Sequence, residues 1–207
     1  MKLIIFGSTG SIGRELVSQG LEHGHMVTAF TRDPSKLDIR HDNLKVVRGD
    51  AMDLPSVEKA VQGQDAVLCS LGAGAKGTVR TRGTKNIIRA MEKAGVRRLV
   101  CQSSLGVGDS WDNLNLFWKY VMFRGFLRHA YADHVSQEDH VRQSDLDWTI
   151  VRPAAFTDGN LTGEYRHGFP GNDKTTKLKI SRDDVAEFML KHLTQEEYLR
   201  KTPGLSY

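Results

Sequence analysis

Residues 3–6 read "LIIF" and residues 7–13 read "GSTGSIG". An apolar run breaking into three glycines three apart, followed by a segment of helical period, is the pattern of a strand that turns sharply into a helix. Each glycine answers a geometric demand. Gly7 permits the tight turn off the strand, Gly10 lets the backbone approach a ligand, and Gly13 lets helix and strand pack closely. The free N–H groups at the start of that helix, with its dipole, favour an anion such as a diphosphate. The glycines alone are a common pattern. Their position between strand and helix makes a dinucleotide loop the better reading than a plain turn.

Working outward, apolar runs alternate with segments of helical period. After the first strand, Ile12, Leu16, Val17 and Leu21 fall on one helical face. Further strands are expected at 26–31, 44–49, 65–71, 97–104 and 148–153, with helices at 55–62 and 78–94, the latter ending at Gly95. A last helix is expected to start at Ser181 as N-cap, with Asp184 three residues on and Ile180 and Val185 as a hydrophobic staple. Apolar strands separated by helices predict an α/β, Rossmann-type doubly wound parallel sheet. The 207 residues read as a single domain with a small partial cap. An aromatic, then helical, insert at 105–145 and irregular loops at 154–180 would form its substrate side.

Composition excludes several classes. Hydrophobic residues are 39% and charged residues 26%, ordinary for a globular chain, and no apolar run is long enough for a membrane span. The first strand starts at Lys2, which argues against a cleavable leader, and Cys69 and Cys101 sit in apolar runs as buried thiols. A cytoplasmic location is the expectation. The net charge of +4 is spread along the chain without a basic block, so nucleic acid is not expected as a partner. His134 and His140 are six apart on a helix, the wrong spacing for shared ligation, and no metal is inferred.

The second strand runs out as "AFTRDPSK". Arg32 and Lys36 beside Asp33 read as a clamp for a 2′-phosphate, with Asp33 turned away as a cap residue, which predicts NADP(H) as cofactor. Gly49–Asp50 ends the third strand near the adenine position. "SLGAG" (70–74) and "SSLG" (103–106) end the fourth and fifth, where open α/β sheets hold ligands. "GAGAKGT" (72–78) lacks the ending of a phosphate-binding P-loop and does not open the first helix.

Taken together, "GSTGSIG", "TRDPSKL", "VVRGD", "GQDAVL", "SSLG" and "LDWTIVRP" resemble the atypical short-chain dehydrogenase/reductases, or NmrA-like NAD(P)-binding proteins. "TDGNLTGEY" and "ISRDDVAEFMLKHLT" resemble more specifically the NADPH-dependent flavin reductase/biliverdin-IXβ reductase branch. The resemblance spans the chain except the aromatic insert near 107–130. It implies that Thr9, Ser11 and Ile12 line the pyrophosphate, that Arg32 and Lys36 hold the 2′-phosphate, and that Asp50 and Ala51 meet the adenine. It also implies that Leu71 and Gly72 pass the nicotinamide ribose and that Ser104, with Ser103 on the cofactor side, faces nicotinamide and substrate. Pro153, Ala154, Ala155 and Phe156 would flank the carboxamide. The mammalian members carry a histidine beside their proline pair, where this chain has Ala155, so a histidine-assisted proton transfer has no basis at that position.

Ordinary ketone reduction in short-chain dehydrogenases uses a Tyr-x-x-x-Lys pair. After Ser104, Tyr120 is followed by Arg124 and Tyr131 by Val135, so neither matches. A flavin or linear tetrapyrrole needs less, because its conjugated system accepts hydride and water supplies the proton. The expected activity is therefore hydride transfer from NADPH to a planar conjugated acceptor such as a flavin or a biliverdin-type tetrapyrrole, with a quinone reductase as an alternative. Ser104 is the catalytic-region residue, either orienting the acceptor or carboxamide or capping the strand end. Trp111, Phe117 and Trp118 either stack on a flat acceptor or pack a cap helix or interface, and Arg152 either serves an anionic acceptor or is a buried structural arginine. The chain is expected to act as a monomer or weak homodimer. Its rival is an NmrA-type redox sensor that binds NADP(H) without catalysis.

Overall fold

The computed structural model describes residues 1–72 and 77–207. Residues 73–76, which include the end of "SLGAG" and the middle of "GAGAKGT", lie outside the described residues. The strand–helix alternation appears where the sequence places it: β1 (Lys2–Phe6), α1 (Ser11–Glu22), β2 (Met26–Thr31), β3 (Leu44–Arg48), α2 (Leu54–Val61), β4 (Ala66–Cys69), α3 (Val79–Ala94) and β5 (Arg98–Gln102). The chain continues through a 3-10 turn (Gly108–Asn113), a π-helix (Phe117–Phe126), α4 (Arg128–Arg142) and β6 (Asp147–Pro153). It ends with β7 (Ala155–Thr157), β8 (Arg166–His167), β9 (Lys179–Ser181), α5 (Arg182–Lys191) and β10 (Gly204–Ser206).

The main sheet has the order β3-β2-β1-β4-β5-β6-β10-β8, and its first six strands follow the order of dinucleotide-binding α/β sheets. All are parallel except β8, which pairs antiparallel with β10. β7 and β9 form a separate parallel pair. Side chains alternate across the sheet, so Leu3 and Ile5 face one layer while Ile4 and Phe6 face the other. The first layer receives Leu16 and Val17 of α1 and Val185 and Met189 of α5. The second receives Val57 of α2, Ile87 and Met91 of α3 and Val141 of α4. β3 is the edge, and its Lys45 and Val46 are exposed, so that strand is not covered on both faces.

Helix ends follow the expected chemistry. Asp53 caps α2, and Gly95 ends α3 in the left-handed region at φ 71°. Ser181 caps α5, accepting from the Asp184 N–H at 3.0 Å, with Ile180 and Val185 buried beside it. Asp184 does not complete a capping box. Its buried carboxylate accepts from the backbone of Thr162 and Gly163, from the Thr162 hydroxyl and from Tyr207 Oη, while Tyr207 Oη accepts the Ser181 N–H. "LTGEY" and "DDVAEFML" therefore meet each other as a structural clasp.

The 105–145 insert is helical in both halves rather than only in its second. In the π-helix the Leu127 N–H reaches the Met122 carbonyl five residues back at 2.7 Å. Residues 154–180, expected to be irregular, hold three short strands. β10 was missed altogether because three residues near a terminus carry no usable period.

Candidate active site

The carboxyl ends of β1, β2 and β4 open onto a cleft of about 660 Å³. Gly7 has φ 85°, and a Cβ there would stand 2.4 Å from the Ser70 carbonyl oxygen on the neighbouring β4. At Gly13 a Cβ would lie 2.0 Å from the Gly7 carbonyl oxygen, so the third glycine is required by helix–strand contact. Gly10 caps α1 without a side-chain hydrogen bond, and the first turn holds no acidic residue. By contrast, the first turn of α5 carries Asp183 and Asp184. The N–H groups of α1 thus point into the cleft with nothing neutralising them, which fits an anionic diphosphate.

The other sequence-predicted cofactor residues gather around this loop. Thr9, Ser11, Ile12, Arg32, Lys36, Asp50, Ala51, Leu71, Gly72 and Phe156 line the same cleft. Asp33 caps the 3-10 turn Pro34–Lys36, its carboxylate accepting from the Ser35 N–H at 3.2 Å and the Ser35 hydroxyl at 2.6 Å. Those bonds hold its pKa below the usual carboxylate range, Ser35 first, with Lys36 adding its charge from 3.8 Å. Arg32 and Lys36 remain exposed at the rim. Asp50 is spent on an Asx turn, accepting the Met52 N–H at 2.9 Å. Arg14, which the sequence reading passed over, ties the parts together by donating to the carbonyls of Thr9 and Lys36.

A second cleft of about 360 Å³ adjoins the first, and Arg80, Gln102 and Phe156 line both. Ser103, Ser104, Pro153, Ala154 and Ala155 lie here at the ends of β5 and β6. The Ser104 hydroxyl donates to the Leu105 carbonyl at 3.2 Å, and the residue is half-buried. The remaining wall is mostly apolar: Leu105, Leu114, Trp118, Phe123, Leu127 and Leu178. Leu178 holds a left-handed backbone at φ 54°, a conformation that costs a side-chain-bearing residue stability and that clusters at ligand sites.

The junction carries an unusual share of unsatisfied groups. Arg80 Nε, Gln102 Oε1, Ser103 Oγ, His134 Nδ1 and Arg182 Nε are buried without a hydrogen-bond partner among the described residues, and all five belong to residues lining the second cleft. Buried polar atoms are ordinarily paired. A cluster of orphans at the meeting point of two clefts fits a carboxamide and a polar acceptor edge. His134 projects from α4, and burial, helped by the Arg80 charge, pushes its pKa down to about 3. It is a neutral imidazole at ordinary pH, able to hydrogen-bond but not to serve as an acid. Arg80, Gln102, His134 and Arg182 had no sequence signal, because each is set by how distant elements meet.

Two expectations are corrected. Arg152 lines neither cleft. It is 1% exposed, and its guanidinium grips Glu138 through two bonds, of 2.9 and 2.7 Å, and Asp109 through a third. Burial works against its charge, but these carboxylates raise its pKa, so it is a structural cation of the insert rather than a substrate anchor. Trp111 is also outside both clefts. It packs on Phe123 and Tyr131, at ring separations of 6.4 and 5.6 Å, and the tryptophan that lines the second cleft, beside Phe123 and Phe156, is Trp118. The two tyrosines tested for a Tyr/Lys pair are elsewhere occupied. Tyr120 is exposed under Arg124, and Tyr131 donates to the Gly106 carbonyl at 3.4 Å.

A family model described as NAD(P)H-binding matches residues 7–196, which contain the loop, the clamp and both clefts. The chain belongs to the NAD(P)H-binding family. Within reach of this family, an uncharacterized chloroplastic protein of Arabidopsis thaliana is 31% identical, over 95% of this chain and 73% of its own length. Among solved structures, ChuY of Escherichia coli O157:H7, described as an anaerobillin reductase, superposes with a TM-score of 0.83 at 23% identity, covering 100% of this chain and 97% of its own. A short-chain dehydrogenase/reductase of Veillonella parvula, solved in complex with NADP, does so with a TM-score of 0.81 at 19% identity, covering 100% and 94%. At these identities the two structures show a shared fold.

Proposed function

We propose that this NAD(P)H-binding protein is an NADPH-dependent oxidoreductase passing hydride to a planar conjugated acceptor of flavin, tetrapyrrole or quinone type. The observation that carries the reading is the second cleft, mostly apolar and joined to the first through Arg80, Gln102 and Phe156. Ligand-sized space continuous with a dinucleotide cleft is what bringing two reactants together requires.

NADPH, when bound, supplies the hydride. The Gly7–Ile12 loop and the α1 N-terminus hold its diphosphate. Arg32 and Lys36 take the 2′-phosphate, because Asp33 spends Oδ1 on its own turn and has Lys36 beside Oδ2 at 3.8 Å, leaving two cations against one partly engaged carboxylate. Ser103 and Gln102 bond the carboxamide, and Ser104 orients the acceptor from the end of β5. His134 hydrogen-bonds the acceptor as a neutral ring. Arg80 and Arg182, each with one Nη on a carboxylate (Asp133 and Asp158), offer their unpartnered Nε–H groups to an acceptor oxygen, while Trp118 and Phe156 flank its plane. Among the described residues, none lining the second cleft is set up as a proton donor at neutral pH, so water supplies the proton, as suits a conjugated acceptor. The description of ChuY as an anaerobillin reductase agrees with a flat acceptor.

The test is NADPH oxidation, followed by its near-ultraviolet absorbance, against a panel of riboflavin, FMN, biliverdin and a soluble quinone. Turnover above the uncatalysed rate with at least one acceptor is expected. Tight NADP binding without turnover on any of them would favour the non-catalytic sensor instead.

A further inference from the structure

The π-helical segment of the insert presents the molecule's densest run of exposed apolar side chains. Leu116 is 73% exposed, Phe117 55%, Tyr120 51%, Val121 43% and Phe126 76%. Single exposed hydrophobics are normal on a protein surface, whereas five within eleven consecutive residues mark a contact site. These side chains are not displaced core residues. The opposite side of the segment is already packed, with Trp118 and Phe123 stacked at 6.1 Å and Trp111 and Tyr131 beyond them.

Along the segment itself the charge has one sign. From 113 to 132 the sequence carries Lys119, Arg124 and Arg128 and no Asp or Glu. Lys119 is bridged to Asp112 at 2.6 Å, but Arg124 lies over the Tyr120 ring at 4.9 Å and Arg128 lies against His129 at 3.2 Å. Neither arginine forms an ion pair among the described residues, and both are exposed. A second copy is a poor match, because a two-fold contact would set Arg124 and Arg128 against their own copies, while the neighbouring carboxylate, Asp112, is already bridged to Lys119. Exposed Phe, Leu and Tyr ringed by arginine match instead an anionic surface with an apolar interior.

We propose that residues 116–128 form a peripheral docking element for anionic lipid bilayers. Phe117, Val121 and Phe126 enter the headgroup–acyl boundary, and Arg124 and Arg128 pair with lipid phosphates. The element lies on the membrane and does not cross it, since no helix among the described residues is long and apolar enough to span. The absence of a spanning segment, which argued against a membrane partner at the level of composition, does not bear on this mode of contact. The inner face of the same segment, Trp118, Phe123 and Leu127, lines the second cleft. The docked element and that wall are one piece of chain.

Cosedimentation of the full chain with phosphatidylcholine vesicles, and with vesicles of equal parts phosphatidylcholine and phosphatidylglycerol, tests this. Binding to the phosphatidylglycerol vesicles alone is expected, weakening as salt is raised. Two double variants, Phe117→Ser with Phe126→Ser and Arg124→Glu with Arg128→Glu, should each lower binding by about tenfold or more. Unchanged circular dichroism and unchanged NADPH binding would show that both remain folded. Absence of binding to either vesicle overturns the proposal, as does binding that both variants retain. A concentration-dependent dimer that Phe117→Ser with Phe126→Ser dissociates, without vesicle binding, would overturn it in favour of a second copy.

Discussion

Arg32 and His134 show how differently single residues can be read. The place of Arg32 at the rim of the first cleft was legible from sequence, because a strand tip is a local feature that does not depend on distant packing. Under the proposed function, with Asp33 capping its own turn, the exposed guanidinium at 32 would decide between cofactors. Arg32→Ala should reduce the preference for NADPH over NADH by about tenfold or more, the worth of a charge-assisted hydrogen bond, measured as the ratio of dissociation constants. An unchanged ratio would contradict the clamp. His134 was illegible as a site residue, since only the fold turns that face of α4 toward β5 and β6. Burial and Arg80 hold its folded pKa near 3, below its ordinary value of 6.5. The unfolded chain therefore binds the proton that the folded chain refuses. The stability due to neutral His134 is fully present above pH 6.5 and is lost as pH falls toward 3, by at most about 1.4 kcal/mol per unit. His134→Asn should flatten the fall in urea midpoint between pH 6.5 and 4.5 by one proton's worth. The same slope in the variant would show that the ring is not held neutral.

At the scale of elements, the central strands and their helices were readable because apolar runs, caps and breakers are local signals. Gly95 and Ser181 ended and began helices where their chemistry requires. What local signals miss is the partner. The sequence presents Arg152 as a free cation near a site, yet α4 supplies Glu138 to it across fourteen residues, and the loop after β5 adds Asp109. Nor could sequence separate Trp111, Phe117 and Trp118, since helical winding in the insert decides that only Trp118 of the three lines the second cleft. The two carboxylates around Arg152 are unequal. Glu138 is buried at 4% side-chain exposure, whereas Asp109 is 79% exposed. Glu138→Ala should cost about 3–5 kcal/mol of unfolding free energy by stranding a buried guanidinium. Asp109→Ala should cost no more than about 1 kcal/mol, as for a solvent-exposed pair. Urea denaturation of both variants checks the ranking, and equal losses would contradict it.

For the whole molecule, fold and cofactor class follow from features spread along the chain, and membership of the NAD(P)H-binding family agrees with both. The second cleft was less legible, because it is assembled from the ends of β5 and β6, from α3 and α4, from the insert and from the loops after β6. The central claim is that hydride passes directly between the two joined clefts. A rigid cofactor cleft opening to an acceptor on one side demands transfer from one face of the nicotinamide. The decisive measurement is single-turnover oxidation of NADPH carrying deuterium at either of the two faces of its reactive carbon, with the best acceptor found. The account predicts a primary isotope effect for one labelled face and none for the other. Equal behaviour of the two labels, or no oxidation despite tight binding, would contradict it.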